Sequence, residues 1–169
     1  MDETRRCPWA RSEHEAAYHD EEWCRPCRDD KALFELLELE GFQAGLTWRR
    51  ILERRAAALA APGVIKNRSK ARCAVTNARA FLQVQEEWGS FADYLWHWVD
   101  GVPVNHRLER TEDMPAEDDL SRRVSADLKK RGFRFVGPVI IYSYLQGAGL
   151  INDHLVTCPW HDRVQEGMP

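Results

Sequence analysis

The sequence predicts an all-α protein, and three observations carry that prediction. Asp30–Glu40 and Asp118–Arg131 each place apolar residues at helical spacing between an acidic start and a glycine. The stretch from Pro138 to about Leu150 is apolar nearly all round, as a central core helix is. No run alternates with the period of two that marks a strand.

Taken in order, the first helix runs from a cap at Asp29 or Asp30 to Glu40, with Leu33, Leu36 and Leu37 on its apolar face. The second runs from Leu46 or Thr47 to about Ala60, with Trp48, Ile51 and Leu52 on one face, and Ala61-Pro62-Gly63 breaks it. Val64 to Ser69 reads as a tight basic hairpin. The third helix, Lys70 to Glu86, points Ala74, Ala78, Phe81 and Leu82 inward and ends at Trp88-Gly89-Ser90. Phe91, Tyr94, Leu95 and Trp98 follow at helical spacing, and Gly101 to Pro115 is loop-like. In Asp118–Arg131, Leu120, Val124 and Leu128 line one face; acids lie at the start and Lys129-Lys130-Arg131 at the end, as the helix dipole favours. Pro138 opens the last helix. One domain over 1–169 is expected, with no repeat.

The 169 residues hold no apolar run long enough to span a membrane. Met1-Asp-Glu-Thr-Arg-Arg6 lacks a signal-peptide core, so the cytoplasm is the expected location. The formal charge of -3 argues against nucleic acid, but local charge argues for it. Arg49, Arg50, Arg54, Arg55, Lys66, Arg68, Lys70 and Arg72 stand against the single acid Glu53. Such a block suits a phosphate-binding face, or a solvated helix face.

Glu40 is the most informative residue. It lies three, four and seven positions after Leu37, Leu36 and Leu33, on their face, whereas Glu35 and Glu38 can reach water. A carboxylate on an apolar stripe is costly unless something pairs with it. Either it is buried, or Gly41 stops the helix and Glu40 escapes to solvent. Nearby stand Tyr18-His-Asp-Glu-Glu-Trp23 and Gly41-Phe-Gln-Ala-Gly-Leu-Thr-Trp48. A buried carboxylate among aromatic rings suits a flat, cationic heterocycle, with rings on its faces and the carboxylate at its edge. Trp23 and Trp48 are otherwise ordinary core residues.

Five cysteines without a secretion signal argue against a disulfide framework. His154 and Cys158 stand at i and i+4, on one side of a helical turn, and Cys7 and His19 lie near the other terminus. Together they make a Cys2His2 set of the closed kind that structural zinc prefers. Cys24-Arg-Pro-Cys27 is a further metal or redox signal, so six residues compete for four places, with His161 a seventh. The hairpin Pro62 to Lys70 offers backbone N–H groups and cations to an anion, as a helix-hairpin-helix DNA clamp does.

These residues together resemble the 3-methyladenine DNA glycosylase I family, a branch of the helix-hairpin-helix DNA glycosylases. The resemblance covers almost the whole chain. It rests on Cys7-Pro-Trp9, Tyr18-His-Asp-Glu-Glu-Trp23, Leu39-Glu-Gly-Phe-Gln-Ala-Gly-Leu-Thr-Trp48, Asn77-Ala-Arg-Ala80, Leu128-Lys-Lys-Arg-Gly-Phe-Arg-Phe-Val-Gly137 and Gly149-Leu-Ile-Asn-Asp-His154.

The resemblance implies a helix-hairpin-helix glycosylase fold and one structural zinc on Cys7, His19, His154 and Cys158, joining the two ends of the chain. It implies that Glu40 reads the methylated base with Tyr18, that Trp48 stacks on it with Trp23 nearby, and that Leu46, on Gly45, fills the gap left by the extruded nucleotide. Gly63, Lys66, Arg68 and Lys70 would hold phosphates. The implied partners are double-stranded alkylated DNA and free 3-methyladenine as product, with the protein a monomer. Two features depart from the family. Cys24 and Cys27 have no counterpart in its pattern. The join at Ala61–Gly63 is short where family members carry one or two further helices, roughly two dozen residues.

Adenine methylated at N3 is cationic in DNA, so its glycosidic bond is already weak and no strong acid is required. Many relatives in the wider superfamily use an aspartate after the hairpin; Lys70–Glu86 has none. Glu40 is thus the one candidate catalytic group, with base recognition its first role. The competing readings are a non-catalytic, zinc-stapled helical DNA-binding module and a thiol redox protein using Cys24 and Cys27.

Overall fold

The computed structural model describes residues 5–43, 46–60 and 68–166, without the side chains of 54, 56–60 and 68–71. Among them, eight α-helices follow one another: α1 (Glu13–Glu21), α2 (Asp30–Gln43), α3 (Trp48–Ala60), α4 (Arg68–Trp88), α5 (Phe91–His97), α6 (Asp119–Lys130), α7 (Pro138–Gly147) and α8 (Trp160–Arg163). The expected all-α class holds. One parallel strand pair, β1 (Val104–Asn105) and β2 (Ile151–Asn152), sets Val104 opposite Ile151. Strands of two residues carry no periodicity, which is why the sequence shows no sign of them. Among the described residues no helix is long and apolar enough to cross a membrane.

Helix α2 is the axis of the fold, packed against α3, α4, α5 and α7. Asp29 accepts the Ala32 amide at 2.8 Å and so caps it. Asp30 reaches sideways instead, accepting the Phe91 and Ala92 amides at 2.8 Å each and capping the start of α5. Gly41 does not stop the helix, which runs on to Gln43. Burial overrides glycine's weak helix propensity here. A methyl group at Gly41 would sit 3.5 Å from the Phe135 β-carbon, so a loop lies directly against this turn. Leu33, Leu36, Leu37, Glu38, Leu39, Glu40 and Gly41 are all buried. Glu38, expected to reach water, is therefore inside, because α2 is enclosed on more than one face.

Helix α4 corrects the expected inward set. Asn77, Ala80, Phe81 and Val84 are buried at i, i+3, i+4 and i+7, while Ala74 and Ala78 are half-buried and Leu82 is 59% exposed. Leu82 falls about 100° round the helix from Phe81, off the buried stripe. Asp118 and Ser121 close a reciprocal capping box on α6. Helix α7 starts at Pro138 as expected but ends at Gly147. Helices α1 and α8 were not expected. A capping box of Ser12 and Glu15 starts α1, although the helix buries only Tyr18 and His19.

Two cores result. The larger joins α2, α4, α5, α6 and α7; the smaller gathers Cys7, Tyr18, Trp23, Cys24, Leu155, Cys158, Trp160 and Val164 from the two ends of the chain, with Leu108 from between them. Trp48 packs against both. Each fully buried leucine contributes about 1.5–3 kcal/mol, so the cores hold α1 and α2 rigidly enough to place their polar groups.

Candidate functional site

Near the end of α2, within electrostatic reach of the Tyr18 hydroxyl, stands Glu40. Its side chain is 3% exposed, and the carboxylate oxygen Oε2 is buried without a hydrogen-bond partner. Among the described residues it is the one buried carboxylate oxygen so placed. Burial pushes the Glu40 carboxyl up from 4.5 to about 8. The alternative of a solvent-facing Glu40 is excluded. Tyr18, from α1, is buried, and its hydroxyl is pushed up by burial first and by the charge of Glu40 second. Trp48, half-buried, sets its ring edge-on to Tyr18 with centroids 5.2 Å apart. The Trp48 indole Nε1 is buried without a partner, as are those of Trp9, Trp88 and Trp98. A carboxylate oxygen and an indole N–H with no partner in the protein suit a ligand that carries both donors and acceptors.

Trp23 lies against the Cys/His set: its ring meets Trp9 at 4.9 Å and His154 at 4.6 Å, and stacks on His19 at 5.8 Å. Leu46 is 47% exposed just past α2, its amide bonded to the Gln43 carbonyl at 2.6 Å. Gly45, Gly63 and Lys66 lie outside the described residues, and so do the side chains of Arg68 and Lys70, whose backbone forms the first turn of α4. Part of the basic block is engaged within the protein. Arg55 donates to Glu22 and Glu35 at 2.7 and 2.5 Å, and Arg49 to Glu53 at 2.9 Å.

Cys7, His19, His154 and Cys158 are all buried, with their ligand atoms within 4.8 Å of one another. Cys158 Sγ stands 3.5 Å from His19 Nε2 and 3.7 Å from His154 Nδ1, and Cys7 Sγ is 3.7 Å from His154 Nδ1. Atoms bound at about 2.0–2.3 Å to a common tetrahedral ion stand about 3.5 Å apart, so the set fits one ion. Its outer partners fit too. Asp20 lies 2.8 Å from His19 Nδ1 and the Trp23 carbonyl 3.2 Å from His154 Nε2, which turns the other nitrogen of each ring toward the two thiols; His19 Nε2 also accepts the Cys7 amide at 3.3 Å. Cys158 is held below the ordinary thiol range, chiefly by its contact with Cys7 and then by the two imidazoles, and Cys7 is raised in turn. His154 and Cys158 meet through a turn, closed by the Cys158 amide on the Leu155 carbonyl.

Cys24 and Cys27 do not join this set. Both are raised above the ordinary thiol value by burial, which makes them weak nucleophiles and disfavours the redox reading. Cys24 adopts a left-handed φ of 61° and accepts the Asp153 amide at 3.5 Å.

Three contributors escaped the sequence reading. Trp9 completes the aromatic wall, and the motif Cys7-Pro-Trp9 was its signal. Asp20, adjacent to His19, orients that ring and is itself held by Arg6 at 2.6 Å. Asn77 donates to Glu38 at 2.7 Å and to the Arg134 carbonyl at 3.1 Å, and accepts the Arg134 amide at 2.7 Å. Its place on the buried stripe of α4 was visible in the periodicity.

Comparison with known proteins places this geometry. The sequence model of the methyladenine glycosylase family matches residues 9–61 and 56–161. The chain is 37% identical over 177 residues to DNA-3-methyladenine glycosylase 1 of Escherichia coli (strain K12), covering 90% of this chain and 95% of that one. A crystal structure of 3-methyladenine DNA glycosylase I superposes with a TM-score of 0.86 at 36% identity, covering 92% of this chain and 98% of the other. A structure describing 3-methyladenine recognition by the Staphylococcus aureus glycosylase I superposes with a TM-score of 0.85 at 34% identity, over 88% and 92%. With a matching family model, a matching fold and a buried carboxylate among aromatic rings, the chain belongs to the methyladenine glycosylase family.

Proposed function

We propose that this protein is a base-excision repair enzyme that hydrolyses the N-glycosidic bond of 3-methyladenine in alkylated DNA. The observation that carries the reading is Glu40, whose buried oxygen has no partner beside Tyr18 and Trp48. A buried carboxylate with no internal partner destabilises the protein unless a ligand completes it. A cationic base does so by charge and by hydrogen bonding. Trp48 stacks on the base, Tyr18 fixes its edge with Glu40, and Trp23 backs the pocket from the side of the Cys/His set. Glu40, ionised by the cation, also stabilises the positive charge that passes to the sugar as the bond breaks.

The nucleotide must leave the duplex to reach this depth. Leu46, exposed just past α2, wedges the stack with Gly45, and Gly63, Lys66, Arg68 and Lys70 hold phosphates. Cys7, His19, His154 and Cys158 hold one structural zinc; bound there, the ion supplies cross-linking of the two chain ends and no chemistry at the base. The protein acts as one domain over 1–169, as a monomer on double-stranded DNA in the cytoplasm. The family match comes in two segments that overlap at 56–61, beside the short join at Ala61–Gly63, and a shortened hairpin region favours a second reading, a DNA-binding module without catalysis.

Release of free 3-methyladenine from alkylated duplex DNA decides between the two. The enzyme reading expects turnover by the zinc-loaded protein and none by Glu40→Ala. Duplex binding without base release leaves the binding module.

A further inference from the structure

We infer that Asp153, with Gln146 and Cys24, forms a positioning unit that couples the Cys/His set to the base pocket, so that binding at either site strengthens binding at the other. This rests on the readings that the set holds zinc and that Tyr18 receives the base.

Asp153 sits one residue before His154 and is fully buried. Both of its carboxylate oxygens are engaged. The His106 ring nitrogen Nδ1 lies 2.8 Å from Oδ1, while the Tyr142 hydroxyl and the Gln146 side-chain amide donate to Oδ2 at 2.5 and 2.7 Å. His106 follows β1, and Tyr142 and Gln146 stand one turn apart on α7. With both oxygens satisfied, the cluster takes no ligand of its own, and its role is internal. A buried carboxylate is a costly way to stabilise a core, where apolar packing serves better. What a complete polar network supplies is one fixed geometry.

Three bonds close that geometry into a ring. The Asp153 carboxylate holds the Gln146 side chain, the Gln146 carbonyl accepts the Cys24 amide at 3.0 Å, and Cys24 Sγ accepts the Asp153 amide at 3.5 Å. Cys24 keeps a left-handed φ of 61° there, a conformation that a residue with a β-carbon holds only where its surroundings impose it. One side of the ring touches the metal set. Asp153 precedes His154, and the carbonyl of Trp23, next to Cys24, lies 3.2 Å from His154 Nε2. The other side touches the pocket. Gly147, next to Gln146, lies against the Tyr18 hydroxyl, and the Trp23 amide bonds the Tyr18 carbonyl at 2.8 Å. A shift of His154 from its place in the set therefore moves the last turn of α7 and the end of α1, the two segments that seat Tyr18. Linkage makes the effect reciprocal.

The test uses the zinc-loaded full chain. Zinc affinity is read by equilibrium competition against a chelator, without free 3-methyladenine and with enough of it to saturate each protein. The base should tighten zinc binding by the native protein about fivefold or more. Gln146→Met keeps the side-chain volume and cuts one bond of the ring. It should hold zinc as tightly as the native protein when the base is absent, and lose the tightening when the base is present. Asp153→Asn should bind zinc about tenfold more weakly, again without tightening. A merely structural role would lower the melting temperature of both variants and leave the tightening in place. Base-insensitive zinc affinity in the native protein, or full tightening in Gln146→Met, would overturn the coupling. The underlying readings fail separately. A native protein that holds no zinc sinks the metal reading, and one that does not bind the free base sinks the pocket reading, each taking the coupling with it. With both bound and no linkage between them, the coupling alone falls.

Discussion

The hydroxyl of Tyr18 lies so close to Gly147 that a β-carbon there would approach it to 2.6 Å. That contact sets α1 against the end of α7, with Leu36 of α2 at 3.0 Å from the same point. The placement of Tyr18 thus depends on a missing side chain over a hundred residues away. Gly147→Ala should push the Tyr18 ring out of register, cost about 1–3 kcal/mol and weaken base binding. Thermal melts and equilibrium binding of free 3-methyladenine measure the two effects. An alanine variant with native stability and native base affinity would show that the contact positions nothing.

Burial of Glu40 also makes stability depend on pH. Its carboxyl titrates at about 8 when folded and at its ordinary 4.5 when unfolded. Between those values the folded chain keeps a proton that the unfolded chain loses. This contribution is therefore fully present below pH 4.5, declines as pH rises, and is gone above pH 8. Glu40→Gln lacks the decline. It should be more stable than the native protein at pH 8, by on the order of 2–4 kcal/mol, and equal to it near pH 4. Melting curves across that range measure the difference; a constant offset would place the carboxylate in contact with water.

Asn77 clips Glu38 and the Arg134 backbone together inside the protein. Glu38 is raised by burial and partly restored by the Asn77 bond. Asn77→Ala leaves a buried carboxylate and a backbone amide without partners, which should cost ~2–4 kcal/mol. Asn77→Asp sets a second carboxylate against Glu38, so its loss should grow as pH rises through the carboxylate range. Denaturant unfolding at two pH values resolves the pair, and a pH-independent deficit would contradict the second expectation.

Zinc content tests the four-residue set. Cys158→Ser should lose the ion, and chelation of the native protein should lower its melting temperature, because the site ties both ends of the chain. Stoichiometric zinc retained by Cys158→Ser would move the site to Cys24 and Cys27.

How much of this was legible follows from the enclosure of each element. Glu40 could be read because it shares a stripe with three leucines. Glu38 could not, because one stripe says nothing about a helix packed on several sides. The Cys/His set was legible as residue types, while its geometry required the turn at Leu155–Cys158. Helix α1 had a readable start in Ser12 and Glu15, yet its polar body hides the two residues it exists to place, Tyr18 and His19. The left-handed φ of Phe135 had no sequence signal, since that conformation usually announces itself as glycine.

The central claim is that Glu40 reads the methylated base. Calorimetric titration of free 3-methyladenine into zinc-loaded native protein and Glu40→Gln, with zinc measured in both, tests it most directly. The account predicts at least tenfold weaker binding to Glu40→Gln at unchanged zinc content. Equal affinity in the two proteins would contradict it.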